Sequence, residues 1–203
     1  MTTSAQVSVG LDPEARRDSA ERLLQDVCWS DGLYLQLASA TNHVVELHSG
    51  HLVVLPLPTL SHQTLVARLF RLLDAWLEPQ RLGRIVLAPH PIRLWPGRFR
   101  EPDLAVYLAE SYDRLGEQYS GVPDLVIEVL SPGTRHVDLG EKRDDYARAG
   151  IREYWLIDPE AGGAQCLVLA GDAYAAGASA VGPDRFASML FPGFTIQLSA
   201  LFA

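Results

Sequence analysis

Residues 123–159, PDLVIEVLSPGTRHVDLGEKRDDYARAGIREYWLIDP, decide the fold of this chain. The apolar run at 124–130 is typical of a buried strand, and residues 153–158 (EYWLID) predict a second one. Between them, residues 138–149 predict a helix, because Asp138 and the glutamate three positions later have the spacing of a capping box. A strand, a helix and a strand in succession indicate an α/β or α+β fold, with a sheet flanked by helices.

The remaining sequence predicts a single domain over residues 13–203, with its core at about 44–159. The N-terminal 1–12 are expected to form a loose tail, and residues 160–203 a β-rich C-terminal part. The other predicted elements are a short helix at 13–28, a hairpin of two strands at 43–55, a helix over 62–79 capped by Thr59 or Ser61, a strand at 84–94 interrupted by prolines, and a strand at 103–108.

Composition bounds the class of protein. The 203 residues are 48% hydrophobic, which permits a sizeable core. Cys28 and Cys166 are too few for a disulfide framework. The sequence has no apolar stretch of transmembrane length, and its first residues lack the order of a signal peptide. We therefore expect a cytoplasmic protein with no membrane partner.

Charge is unevenly distributed along the chain. The net charge is −8, which is unusual for a protein that binds nucleic acid. Residues 81–100 nevertheless contain five arginines and no Asp or Glu: Arg81, Arg84, Arg93, Arg98 and Arg100. This segment is either a solvated hairpin face or a patch that contacts a phosphate backbone.

Glu128 is a carboxylate within an apolar strand, where charge must be paired or bound to a cation. Asp124 shares its face, but the α-carbons of these two residues lie about 13 Å apart. If the preceding strand pairs antiparallel with Tyr107 opposite Asp124, then Asp103 lies opposite Glu128, with β-carbons about 5 Å apart. Two carboxylates at that separation suit Mg²⁺. An ion pair between Glu128 and an arginine is the alternative.

Lys142 is the only lysine, against sixteen arginines. In the predicted helix it shares one stripe with Leu139, Tyr146 and Ala149, so we expect it to face inward. A lysine that reaches solvent from the edge of this stripe is the alternative. An ammonium can contact one oxygen or position one water in a way that a planar guanidinium cannot.

On these residues the chain resembles the PD-(D/E)xK nuclease superfamily, and within it the Uma2 (Uma-two) family of restriction-endonuclease-like proteins. The resemblance extends from about Val44 to Pro159. It implies a core with a helix, an antiparallel meander, a second helix and a further strand. Its segments are VELHSGHLVVLP, SHQTLVARLFRLL, EPDLAVYL and the stretch at 123–159.

The resemblance assigns roles residue by residue. Asp103 matches the acid of the PD element, and Glu128 matches the D/E of the (D/E)xK element. The lysine of that element would fall at Leu130, so the chain departs from the basic pattern. Lys142, on the following helix, is the matching candidate. The resemblance implies that Asp103 and Glu128 hold Mg²⁺ or Mn²⁺ and that Lys142 completes the catalytic site.

Further residues are expected to support this site. Glu46 and His62 match an acid and a histidine near the first helix of the family, and Asp124 is expected to order the start of its strand. Arg93, Arg98 and Arg100 are expected to bind the nucleic-acid backbone.

The implied activity is metal-dependent hydrolysis of phosphodiester bonds in DNA. A nuclease-fold module that binds or regulates with little catalysis is the alternative, and a purely structural network of carboxylates and arginines is a third. The apolar segment at 189–203 is expected to pack either within the domain or across a homodimer.

Overall fold

The computed structural model describes residues 27–203. The predicted tail at 1–12 and nearly all of the predicted helix at 13–28 lie outside this range. In chain order the elements are α1 (Asp31–Ala40), β1 (Val45–His48), β2 (His51–Val54), α2 (Leu60–Gln80), β3 (Gly83–Leu87), β4 (Ile92–Trp95), β5 (Arg98–Arg100), β6 (Leu104–Leu108), a 3-10 helix (Ala109–Arg114), β7 (Leu125–Val129), α3 (Arg135–Leu139), α4 (Glu141–Ala149), β8 (Glu153–Asp158), β9 (Gly163–Ala170), β10 (Ala173–Val181), β11 (Arg185–Ala187), β12 (Thr195–Gln197) and α5 (Leu198–Leu201).

The strands form two main sheets. The larger has the order β10-β9-β8-β7-β6-β3, and the smaller has the order β2-β1-β5-β4. In the larger sheet β7 and β8 run parallel, while the other neighbours run antiparallel. Strands β11 and β12 form a separate pair. The predicted mixed sheet with an antiparallel meander and flanking helices is therefore confirmed.

Helix α2 covers one face of the larger sheet. Thr59 is its N-cap, and its side chain accepts a hydrogen bond from the backbone N–H of His62. The buried stripe of the helix consists of Leu65, Val66, Leu69, Leu73 and Leu77. Although α2 is 21 residues long, none of the helices between residues 27 and 203 is long and apolar enough to cross a membrane.

The predicted strand at 84–94 is two strands. Residues 88–91 separate β3, which belongs to the larger sheet, from β4, which belongs to the smaller. Pro89 and Pro91 lie in this break, where a residue without an N–H cannot continue a ladder. The chain therefore passes from one sheet to the other here.

The pairing of β6 with β7 agrees with the predicted register. Leu104 pairs with Ile127, and the strands run antiparallel. Continuing this register by one residue brings Asp103 opposite Glu128. The strand pairing thus places the two carboxylates at the same end of neighbouring strands.

The predicted helix at 138–149 is interrupted at Gly140. Asp138 lies inside the short α3 and is not an N-cap. Its carboxylate accepts a hydrogen bond from Thr134 at 2.8 Å and lies 3.0 Å from Lys142 Nζ. Because these contacts engage the Asp138 side chain, it does not cap α4, which begins without a side-chain cap.

The C-terminal part is β-rich, as predicted, and it packs within the domain. Strands β9 and β10 extend the larger sheet past β8. The apolar side chains that follow are buried in the core beside α2 and Trp155: Phe186, Phe191, Phe194, Ile196, Leu198 and Leu201. Helices α1 and α5 are additions that the sequence did not predict.

A buried ion cluster holds α4 against the smaller sheet. Arg100 has no exposed surface; its Nε donates to Asp145 on α4 at 2.8 Å and its Nη1 to Glu46 on β1 at 2.8 Å. Arg98 donates to the same Asp145 oxygen at 2.7 Å and also contacts Glu141. The two arginines thus join β5, β1 and α4.

Replacing Arg100 by methionine should destabilise the protein strongly. Arg100→Met leaves Glu46 and Asp145 buried without this countercharge, so we expect the free energy of unfolding to fall by about 3–5 kcal/mol in urea denaturation. Arg185→Met, at an exposed position on β11, should change it by less than about 0.5 kcal/mol. Equal losses in the two variants would contradict the role assigned to the cluster.

Candidate active site

Four parts of the chain enclose a cavity of about 400 Å³ in which the predicted catalytic residues meet. Asp103 comes from the start of β6 and Glu128 from the end of β7. Lys142 comes from the first turn of α4 and His62 from the first turn of α2. All four residues line the cavity. The structure therefore brings together the three residues that the sequence singled out as catalytic.

Asp103 is fixed by the neighbouring strand and remains partly open to the cavity. Its Oδ2 accepts a hydrogen bond from the backbone N–H of Val129 at 2.8 Å. Its side chain is 18% exposed. A carboxylate anchored through one oxygen and still accessible is suited to binding a ligand.

Glu128 is buried beneath Asp103. Its Oε1 accepts hydrogen bonds from Lys142 Nζ at 2.8 Å and from the hydroxyl of Tyr146 at 2.8 Å. Burial raises the pKa of Glu128 above its usual range; Asp138 and Asp103 add to this, while Lys142 opposes it. The region around Glu128 therefore favours additional positive charge.

Lys142 lies inside the protein, as its position on the helix predicted, and the alternative of a lysine that reaches solvent is wrong. Its Nζ lies 2.8 Å from Glu128 and 3.0 Å from Asp138. Burial by itself would lower the pKa of Lys142, but Glu128, Glu46 and Asp138 outweigh this and raise it above its usual value. The side chain is therefore an ammonium. Leu139, predicted for the same stripe, is 41% exposed because it precedes the break at Gly140.

His62 contacts both strands that carry the carboxylates. Its Nε2 lies 3.1 Å from the carbonyl oxygen of Val129 and 3.2 Å from Asp103 Oδ2. Since both neighbours accept hydrogen bonds, Nε2 carries the proton and donates. The hydrogen bond to Asp103 raises the pKa of His62. His62 therefore orients Asp103 from the opposite wall.

Glu46 and Asp124, predicted as supporting residues, do not line this cavity. Glu46 is fully buried in the cluster with Arg100, and its Oε1 accepts a hydrogen bond from the backbone N–H of Glu101 at 3.0 Å. Asp124 accepts one from the backbone N–H of Leu108 at 2.9 Å, at the far end of the strand pair. Asp124 thus orders the start of β7.

The predicted nucleic-acid-binding arginines do not form a surface patch. Arg98 and Arg100 are buried and paired with acidic residues, so the expectation that they contact a nucleic-acid backbone is corrected. They alternate with Phe99 on β5 and face α4. Arg93 is 35% exposed, and its guanidinium lies 2.6 Å from Asp31.

Sequence reasoning missed Asp138 and Tyr146 as neighbours of the predicted catalytic residues. Both contact the Lys142–Glu128 pair. The signal was present in the spacing, since Asp138 and Tyr146 lie four residues before and four after Lys142. Asp138 was instead assigned to a helix cap, and Tyr146 to an apolar stripe.

The residues present fit a divalent cation that prefers oxygen ligands. Among residues 27–203, no group of three or more His, Cys, Asp and Glu side chains is arranged to hold a metal ion. The carboxylates that line the cavity belong to Glu101, Asp103 and Glu128, and Val129 lines it as well. Oxygen ligands that leave positions for water suit Mg²⁺ or Mn²⁺. The surplus of carboxylates over Lys142 also favours a cation.

Comparison with solved structures supports the fold. The crystal structure of "a putative nuclease belonging to DUF820" from Anabaena variabilis superimposes with a TM-score of 0.65 and 22% sequence identity, over 80% of this chain and 91% of that one. No curated protein matches the chain. The resemblance in fold agrees with the restriction-endonuclease-like architecture predicted from the sequence.

The family assignment comes from a sequence match over most of the chain. Residues 32–199 match the profile of the Uma2 family, whose description is "Putative restriction endonuclease". This range contains Asp103, Glu128 and Lys142, together with the strands and helices that hold them. The chain therefore belongs to the Uma2 family.

Proposed function

We propose that this protein is a metal-dependent nuclease that hydrolyses phosphodiester bonds in DNA. The observation that carries the proposal is the convergence of Asp103, Glu128 and Lys142 on one cavity. The family description and the nuclease-like fold support this class of reaction.

Asp103 and Glu128 are the residues that would hold Mg²⁺ or Mn²⁺. When bound, such an ion supplies a Lewis acid toward the phosphate and a water of lowered pKa. Asp103 presents a partly exposed carboxylate whose direction is set by the Val129 N–H and by His62. Glu128 presents its carboxylate from the floor of the cavity.

Lys142 contributes a fixed positive charge next to the reacting phosphate. Its three N–H donors and compact head allow it to contact Glu128, Asp138 and one further oxygen. An ammonium held in a buried site is arranged before the reaction, so it can stabilise negative charge that develops on the phosphate. Tyr146 holds Glu128 in place from the next turn of α4.

A second candidate function is a nuclease-fold module that binds or regulates with weak or no catalysis. Three observations favour it. Lys142 lies on α4 and not two residues after Glu128 on β7. Its ammonium is already paired with two carboxylates, those of Glu128 and Asp138. The net charge of −8 also disfavours binding to DNA. A cleavage assay separates the two functions.

Substitution of either carboxylate should abolish cleavage. Asp103→Asn and Glu128→Gln keep the size of each side chain but remove its charge, so we expect nicking of supercoiled plasmid with Mg²⁺ or Mn²⁺ to fall by at least ~100-fold, the scale of losing one preorganised charged group. Glu160→Gln, an exposed carboxylate in the β8–β9 turn, is the matched control and should retain full activity. An inactive wild-type protein, or variants that nick as fast as wild type, would overturn the enzyme proposal.

Arginine should not replace Lys142. A planar guanidinium does not fit between Glu128 and Asp138 as a compact ammonium does, so Lys142→Arg and Lys142→Met should both lose at least ~10-fold in nicking rate. Circular dichroism and thermal unfolding would establish that each variant is folded, and the double variant Glu128→Gln/Lys142→Met provides a neutral pair for comparison. A folded Lys142→Met protein with wild-type activity would exclude a catalytic role for the lysine.

A further inference from the structure

An exposed apolar segment borders the catalytic cavity. We define the lip as residues 54–60 (VLPLPTL), which connect β2 to α2. Leu57 is 73% exposed and Leu60 is 85% exposed. Neither leucine belongs to the buried stripe of α2. Exposed apolar residues that cluster at the mouth of a cavity are typical of a binding surface.

The lip is part of the same cavity as the catalytic residues. Five of its residues line the cavity that also contains Asp103, Glu128 and Lys142: Leu55, Pro56, Leu57, Pro58 and Thr59. The turn at 131–134, which carries small side chains and two hydroxyls, also lines this cavity. A substrate that reaches Asp103 therefore enters a passage lined by both the turn and the apolar lip.

Cationic side chains are scarce around this passage. Among the described residues that line it, Lys142 is the one Lys or Arg, and Glu128 and Asp138 already neutralise it. Arg98 and Arg100 are buried in their own cluster. Proteins that bind duplex DNA obtain most of their affinity from Lys and Arg contacts to phosphates. The described residues that line the passage do not supply such contacts.

A second cavity, of about 520 Å³, adjoins the first. Val44, Pro89 and Glu101 line both. The lining of the second cavity includes the carboxylates of Glu101 and Glu117 and uncharged groups that form hydrogen bonds, among them Ser39, Thr41, Asn42, His90 and Gln118. Its volume lies within the range of small-ligand pockets, and its chemistry suits the edge of an unpaired base better than a phosphate.

We infer that the lip contacts unstacked bases, and that the substrate of the proposed nuclease is single-stranded or locally unpaired nucleic acid. Apolar side chains can stack against a base that has left the duplex. Unpaired bases can also enter the adjoining cavity, which paired bases cannot. That the bound single strand is also cleaved rests on the proposed function. The preference for single strands over duplex does not require cleavage. Continuity between the lip and the catalytic cavity favours nucleic acid over a second copy of this chain.

Binding measured without metal tests the inference separately from hydrolysis. Fluorescence anisotropy in EDTA would compare a fluorescein-labelled single strand of about 20 nucleotides with the duplex of the same sequence. We expect the single strand to bind at least ~5-fold more tightly than the duplex. Because few phosphates are contacted through cations, raising NaCl from about 50 to about 200 mM should weaken binding by less than ~10-fold.

The double variant Leu57→Ser/Leu60→Ser tests the lip itself. It should weaken single-strand binding by at least ~10-fold, by loss of base contacts. Val181→Ser, at an apolar position on β10 that is 56% exposed and outside both cavities, is the matched control and should bind like wild type.

Three outcomes would overturn the inference: duplex binding equal to or tighter than single-strand binding, no binding of either probe, or a lip variant that binds like wild type. Size-exclusion chromatography tests whether a second copy of this chain occupies the lip instead. If the wild type is a dimer, and the lip variant is a monomer that binds nucleic acid as well as the wild type does, the lip is an interface between copies. A protein that binds single strands through the lip but does not cut them would leave this inference standing while the nuclease proposal fails.

Discussion

The ammonium of Lys142 is the interaction on which the rest of the site depends. It lies between Glu128 on β7 and Asp138 on α3, so one charge joins the sheet to the two helices that follow it. Burying two carboxylates is costly unless a countercharge lies against them. Asp138 and Lys142 are four residues apart and their charged groups lie 3.0 Å from each other, and Arg100 holds α4 through Asp145. The position of the lysine is thus set by packing as well as by charge.

The charge balance of the cavity follows from this arrangement. The ammonium of Lys142 contacts Glu128 and Asp138, while Asp103 lines the same cavity and accepts a hydrogen bond from His62. The surplus of carboxylates over ammonium groups favours the binding of a cation. The same surplus, and the burial of Arg98 and Arg100, disfavour the binding of nucleic acid through its phosphate backbone. A metal-dependent nuclease that takes its substrate through base contacts is consistent with both properties. The acidic net charge therefore argues against binding through the phosphate backbone, but not against binding through the bases.

Sequence reasoning reached the parts of the structure that local patterns determine. The assumed register with Tyr107 opposite Asp124, from which Asp103 falls opposite Glu128, agrees with the pairing of β6 and β7, and the inward position of Lys142 followed from helical spacing. The features that the sequence did not predict depend on tertiary contacts. Arg98 and Arg100 lie on β5, a strand that the sequence did not predict, and α4 covers the face that carries both arginines. Helix α1 was overlooked although Ser30 was available as its N-cap.

The central claim is that Asp103 and Glu128 together hold a divalent cation, and metal binding tests it most directly. Isothermal titration calorimetry with Mn²⁺ on the wild-type protein, Asp103→Asn, Glu128→Gln and Glu160→Gln measures binding whether or not a substrate is known. The account predicts that one ion binds per chain in the wild type and in Glu160→Gln, and that heat of binding is lost in both site variants. Absence of binding to the wild type, or unchanged binding by Asp103→Asn, would contradict it.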